Sequence, residues 1–347
     1  MNRATTTALT PLSALYSLVV DRRSAFYERG VFKQHRVRVP VISVGNITVG
    51  GTGKTPLVEW IARALAAEGG RPCVVTRGYR RNSKGRVVAS NGIDISATLH
   101  EAGDEAFMLA ESLKGKAAVV CDADRVAGAN WAIENLQTDV IILDDGFQHR
   151  RIARDLDIVA IDATNPWGNG HLLPAGTLRE PLAALSRADC FVITRADDAV
   201  QAAALQNELR RLNGNVTIFT SVTNLSEMRD LATNVSAPLD PKSHAIAAFC
   251  AIGNPESFFA LLKREGFQLK YQRAFRDHHR FNQSDLNRVE DAAQNAGAKL
   301  LVTTAKDAVK LRELKLEMPC YVAGIAIDIA PSEDFRRLLT EAIESFK

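Results

Sequence analysis

VISVGNITVGGTGKTP, residues 41–56, is the stretch whose reading decides the fold. Val41 to Val44 is a β-branched run after Pro40, glycines follow, and from Thr55 the apolar residues Leu57, Val58, Ile61 and Leu65 fall at helical spacing. Strand, glycine-rich loop and helix in that order make a phosphate-binding loop, because successive backbone N–H groups point inward and the helix start adds its positive dipole end. The expected cradle is Thr48, Val49, Gly50, Gly51, Thr52, Gly53, Lys54 and Thr55. Lys54 is expected to reach the β/γ-phosphates and the Thr55 hydroxyl to hold Mg²⁺. The pattern G-x-x-x-x-G-K-[ST] is imperfect, since Thr48 occupies the first glycine position, and Val49 stands where a related group of P-loop proteins has lysine. Pro56 suits the first helical turn, which has no N–H to lose.

A chain of 347 residues is long for a single core and suggests two domains. With 46% hydrophobic and 24% charged residues it is globular in composition, and a net charge of +3 argues against broad nucleic-acid binding. The five cysteines form no C-x-x-C pair and sit in or beside β-like runs, as small core hydrophobes do in a reducing compartment.

Toward the N-terminus, Thr10-Pro11 reads as an N-cap with proline at the first helical position. Leu12, Leu15, Tyr16, Val19 and Val20 then fall on one helical face, and Arg22, Arg23, Arg29, Lys33, Arg36 and Arg38 follow. No uninterrupted apolar stretch reaches the ~20 residues of a membrane span, and the flanks are wrong for a signal peptide. Two readings of this helix stay open. It packs on the protein's own core, or it lies in a membrane interface with its arginines on anionic headgroups.

After the loop helix comes a strand at Cys73 to Thr76, then a basic turn containing Arg77, Arg80 and Arg81. Its place at a strand's C-terminal end fits an anionic substrate group. Asp104 and Glu105 open a further helix, and Ala117 to Cys121 is a third strand. Val140 to Leu143 is a buried strand ending in Asp144-Asp145, the form of a Walker B segment whose carboxylates handle Mg²⁺.

The segments VGNITVGGTGKTP, TRGYRR, EAGDEAFMLA, DDGFQHRR, HLLPAGTLREP and TTAKDAVKL, in this order, closely resemble the tetraacyldisaccharide 4'-kinase family, the lipid A 4'-kinases of Gram-negative bacteria. The resemblance implies a P-loop kinase-like α/β/α sandwich with a second, smaller α/β/α domain and an N-terminal amphipathic helix. It implies transfer of the ATP γ-phosphoryl group to the 4'-hydroxyl of a tetraacyldisaccharide 1-phosphate, giving lipid IVA at the cytoplasmic face of the inner membrane. Asp104 is then the base, with His278 as its partner across a closing cleft. Lys54 acts on the phosphates, and Thr55, Asp144, Asp145 and Glu105 form the Mg²⁺ set. Arg77, Arg80, Arg81 and His149 form the substrate set. ATP, the lipid and the membrane surface are the expected partners, without nucleic acid or a protein partner.

The expected segments are 1–38, the helix and basic stretch; 39–154, the nucleotide-binding domain; and 155–347, a second α/β unit. Asp157 to Ile161 reads as a strand close to the boundary, and beyond it that unit has strand-like runs at 191–194, 216–219, 245–252, 300–304 and 321–323, with helical patterns at 201–212 and 256–265. Its C-terminal helix is expected to pack back on the first domain. Thr194-Arg195-Ala196-Asp197 resembles a guanine-reading T-K-x-D element, but its place in the second domain favours a polar loop before a helix. Two rival classes stay open: a membrane-positioned P-loop switch that binds a partner protein, and a small-molecule kinase.

Overall fold

The computed structural model describes residues 3–214, 216–237, 239, 240 and 244–346, with side chains from residue 9 onward. After α1 (Arg3–Glu28), the first half contains β1 (Val41–Gly45), α2 (Lys54–Ala67), β2 (Pro72–Thr76), β3 (Val87–Asn91), α3 (Leu99–Ala102) and α4 (Asp104–Ser112). It continues through β4 (Ala118–Cys121), α5 (Arg125–Leu136), β5 (Val140–Asp144), β6 (Leu156–Asp162), β7 (Cys190–Thr194), α6 (Ala199–Leu212) and β8 (Thr217–Asp230). The second half contains β9 (Ala245–Cys250), α7 (Pro255–Arg264), β10 (Gln268–Ala274), α8 (Gln283–Asn295), β11 (Leu300–Thr304), α9 (Ala305–Leu311), β12 (Cys320–Ala330) and α10 (Ser332–Glu344).

The twelve strands among the described residues join one sheet in the order β10-β9-β11-β12-β8-β7-β6-β1-β5-β2-β4-β3. The expected boundary at residues 154 and 155 falls between β5 and β6, and the sheet runs through it because β6 pairs in parallel with β1. Strand direction reverses at β8 and β12, a long antiparallel pair registered from Tyr321 opposite Asp230 to Ala330 opposite Thr220. The two halves therefore run in opposite senses, yet their C-terminal edges meet: a Cβ on Gly51 after β1 would lie 3.4 Å from the Cα of Gly253 after β9. A flat sheet would put those edges on opposite sides, so the sheet curls back through β8 and β12.

Side-chain alternation along each strand sorts the core. Ile42 and Val44 face α2 and α4 with Leu57, Ile61 and Leu109, while Val41, Ile141 and Leu143 face α5 with Ala129 and Ala132. The C-terminal helix α10 buries Phe335, Leu339 and Ala342 in the first of these clusters, and Phe335 lies 5.3 Å from Trp60 of α2.

The N-terminal helix differs from expectation in where it starts. It begins at Arg3, not at Thr10, and runs through Pro11, so the proline removes one hydrogen bond inside the helix instead of marking its first turn. Between the two readings left open for this helix, packing of the apolar stripe on the protein's own core is not what is seen: Leu12, Leu15, Leu18 and Val19 are 54%, 59%, 49% and 59% exposed. Polar groups hold it down instead. Ser13 Oγ donates to the Leu172 carbonyl at 2.9 Å and accepts from Ala175 N at 3.0 Å, and Tyr16 Oη donates to the Arg179 carbonyl at 2.9 Å. No described helix is long and apolar enough to cross a membrane.

β3 and β10 have no counterpart among the expected strands. β10 is an edge strand whose sequence QLKYQRA leaves most side chains exposed, so it carries little apolar signal. β8 and β12 extend well past their apolar runs because their pairing continues along the antiparallel seam.

Candidate active site

The loop after β1 is shaped by backbone that only glycine adopts readily: Gly50 has φ 125° and Gly53 φ 76° at the N-cap of α2. Two amides of the cradle are already engaged, Val49 N with the Thr177 carbonyl at 2.8 Å and Thr52 N with the Gly50 carbonyl at 3.1 Å. The amides of Gly50, Gly51 and Gly53 and of the first turn of α2 remain for phosphate oxygens. Thr48 is buried, and its carbonyl accepts from Asn46 Nδ2 at 2.6 Å. Lys54 Nζ donates to Asn46 Oδ1 at 2.9 Å and lies 3.3 Å from Asp145.

Thr194 belongs to this site. Its hydroxyl donates to the Thr52 carbonyl at 2.8 Å, and a Cβ on Gly53 would lie 3.2 Å from its own Cβ. The segment expected to be remote from the loop thus buttresses it, because β7 lies beside β6 and β6 beside β1. Arg195 pairs with Asp162 and Asp197 with Arg264, while Asp198 caps α6. Asn254 of the turn before α7 donates to Asp162 at 3.3 Å and to Thr164 at 3.2 Å. Between that turn and the loop lies a cavity of about 550 Å³, lined by Val49, Gly50, Asp162, Thr164, Asn254 and Ser257 among others.

The acidic pair at the end of β5 divides. Asp144 is buried and accepts from Thr76 Oγ1 at 2.9 Å. Burial, with Glu105 and Asp145 adding like charge, pushes its carboxyl up to about 6 against the opposing pull of Lys54. Asp145 has φ 54° and receives Arg179 at 2.7 Å. Burial would raise it too, but Lys54 and Arg179 outweigh that and bring it down to about 2.

The pair that opens α4 faces the other half of the molecule. Gly103, at φ 84°, allows the close turn; a Cβ there would lie 2.7 Å from the Tyr79 carbonyl. Asp104 Oδ2 is 3.2 Å from His278 Nδ1 and 3.5 Å from Lys310 Nζ. Although burial raises the Asp104 carboxyl, its hydrogen bond with His278 and the charges of Lys310 and Lys306 bring it down to about 2. Glu105 receives Lys306 Nζ at 3.0 Å, and Lys306 also reaches Asp277 at 3.3 Å. The neighbouring His279 is turned away onto Asp285 at 2.8 Å and stacks on Phe275.

The expected substrate residues separate. Arg77 and Arg80 are exposed at the mouth, with Arg80 donating to the His278 carbonyl at 3.4 Å. Arg81 turns back to the Cys121 carbonyl at 3.3 Å and to that of Gly85, stapling its own loop. His149 sits among Arg125, Arg154 and Arg23; burial and those charges push its imidazole down to about 4, so it is neutral at pH 7. Sequence reasoning gave no role to Asn46, Arg179, Lys306 or Lys310. Arg179 and Lys306 stand in segments quoted above, HLLPAGTLREP and TTAKDAVKL, but their partners are distant in the chain.

Among the described residues, no three acidic, histidine or cysteine side chains converge to hold a metal. Mg²⁺ does not require such a cage, since it is commonly held by one or two carboxylates together with phosphate oxygens and water. The oxygen donors Thr55 and Asp144 fit that role, and the raised Asp144 carboxyl reflects excess negative charge that a cation relieves.

A model of the tetraacyldisaccharide-1-P 4'-kinase family matches residues 5–344. The tetraacyldisaccharide 4'-kinase of Desulfotalea psychrophila is 38% identical over 344 residues, 97% of this chain and 96% of the relative. That of Geobacter metallireducens is 41% identical over 313 residues, covering 90% of each chain. The LpxK of Aquifex aeolicus, crystallised in complex with ATP, is 31% identical with a TM-score of 0.78, covering 97% of this chain and 99% of the other. Matched almost end to end by the family model and by relatives over nearly their whole lengths, the chain belongs to the tetraacyldisaccharide-1-P 4'-kinase family.

Proposed function

We propose that this chain, as a lipid A 4'-kinase, transfers the γ-phosphoryl group of ATP to the 4'-hydroxyl of a tetraacyldisaccharide 1-phosphate, forming lipid IVA. The observation that carries the reading is the convergence of Lys54 and Asp145 from one half with Asp104 and its partners from both halves around the glycine-rich loop. Phosphoryl transfer needs positioning and charge neutralisation more than covalent help. The free loop amides and Lys54 hold the β- and γ-phosphates, and Arg77 and Arg80 are placed for an anionic substrate group. Thr55 and Asp144 would hold Mg²⁺, with Glu105 and Asp145 adding negative charge; the ion supplies neutralisation of the phosphate oxygens.

Asp104 accepts the hydroxyl proton. A carboxyl near 2 is a weak base at neutral pH, which suits a loose transition state in which the proton moves late. The test is transfer of label from γ-labelled ATP to detergent-solubilised tetraacyldisaccharide 1-phosphate. Wild-type product, with almost none from Lys54→Ala or Asp104→Ala, supports the reading. Unlabelled lipid despite normal ATP binding turns it toward a nucleotide-driven switch or a small-molecule kinase.

The outward apolar stripe of α1, with Arg22 and Arg29 on the same helix and the turn after it, is read as the membrane-docking surface at the cytoplasmic face of the inner membrane. Leu12→Asp/Leu15→Asp is expected to leave the melting temperature within a few degrees while lowering partition onto vesicles containing anionic lipid. Equal partition of variant and wild type would refute the docking role.

A further inference from the structure

Lys306 is the second residue of α9 and is mostly buried, with its side chain 15% exposed. Its ammonium meets Glu105 Oε1 at 3.0 Å, Asp277 Oδ1 at 3.3 Å and His278 Nε2 at 3.3 Å. An ammonium has three N–H donors and no lone pair, so these contacts use all its donors, and each partner atom must accept. His278 Nε2 is therefore the bare nitrogen of a neutral ring. The ring proton then sits on Nδ1, 3.2 Å from Asp104 Oδ2, and is donated to that carboxylate.

We propose that Lys306 is a positioning residue that fixes His278 as the neutral Nδ1–H tautomer, so that His278 orients Asp104 and does not relay its proton. The inference rests on the reading of Asp104 as base. Within it, the acceptor O–H bond breaks, its oxygen bonds to the γ-phosphorus and the bridging oxygen leaves with its electron pair on ADP. The released proton goes to the free lone pairs of Asp104. It cannot pass to His278, because Nδ1 already carries a proton and Nε2 faces a cation. The surroundings keep this arrangement in place: Tyr79 packs against the ring at 5.4 Å between centroids, Arg80 holds the His278 carbonyl, and His278 itself has φ 59°.

Nitrogen-15 NMR of histidine-labelled full-length protein, with His278 assigned by its loss in His278→Gln, reads the tautomer directly. Nδ1–H in the wild type and a shift toward Nε2–H in Lys306→Met support the proposal. Lys306→Met should then lower kcat about tenfold to a hundredfold, the usual effect of removing a histidine-orienting partner, with the KM for ATP within about twofold. Lys306→Arg, which still donates, should retain the tautomer and recover most of kcat. Nε2–H in the wild type overturns the proposal without any variant, and so does an unchanged Nδ1–H signal in folded Lys306→Met. A shifted tautomer with wild-type kcat upholds the role of Lys306 on the ring and refutes instead the Asp104–His278 pair as catalytic.

Discussion

Two acidic dipeptides, Asp104-Glu105 and Asp144-Asp145, look alike in the sequence and are set in opposite electrostatic surroundings. Asp104-Glu105 opens a helix and is answered from the other half of the molecule by His278, Lys306 and Lys310. Asp144-Asp145 ends a strand and draws its cations from Lys54 and Arg179, while at Asp144 itself burial and two like charges outweigh Lys54 and the Thr76 hydrogen bond. The first pair therefore senses whether the halves are together. The second senses what occupies the phosphate loop.

Asp104→Asn tests the first pair most severely. Its turnover should fall by about 10²- to 10⁴-fold with ATP affinity nearly unchanged, measured by label transfer and by calorimetry. A comparable loss of ATP affinity would mean that the pair belongs to the nucleotide cradle and that the contrast is false. His278→Ala should cost less, about tenfold to a hundredfold in kcat, since it removes an orienting group and not the base.

Asp144→Asn sharpens the contrast through stability. The folded carboxyl, near 6, lies above its unfolded value of 3.8, so the folded state holds the proton more tightly and stability falls as pH rises between the two. In chelator-treated protein above pH 6, the substitution should stabilise by on the order of 2–3 kcal/mol, read from denaturant midpoints, while turnover is lost. Asp145→Asn should act in the opposite direction and more weakly. Its folded carboxyl, near 2, lies below 3.8, so its stabilisation is present above 3.8 and disappears as pH falls through 2. With the side chain 37% exposed, solvent screening leaves about 1 kcal/mol to lose at pH 7. Identical stability profiles for the two variants would erase the distinction between these neighbours.

What could be read from the sequence was what lies close along the chain. The loop from Thr48 to Thr55, the strand ending at Asp144 and the helix start at Asp104 each carry their signal within a dozen residues. Asn46 was quoted in the decisive stretch, yet nothing local says that its amide holds Lys54. Thr194 stands in the second unit by sequence, yet parallel pairing through β6 brings it to the loop. Lys306 and Lys310 meet α4 only because the sheet curls, and no pattern in TTAKDAVKL encodes that. The α1 stripe was legible as a stripe, but its outward direction depends on Ser13 and Tyr16 finding carbonyls far along the chain.

The sheet order has a consequence for how the protein is made. β12, which joins the two halves, follows all the other described strands in the chain, and until it pairs with β8 and β11 the strands β9, β10 and β11 have no bonded link to the rest of the sheet. A nascent chain can assemble its nucleotide loop early, but it holds two unjoined sheets with open edges until residue 330 has left the ribosome. Only then can α10 lay Phe335 onto Trp60 and secure the seam.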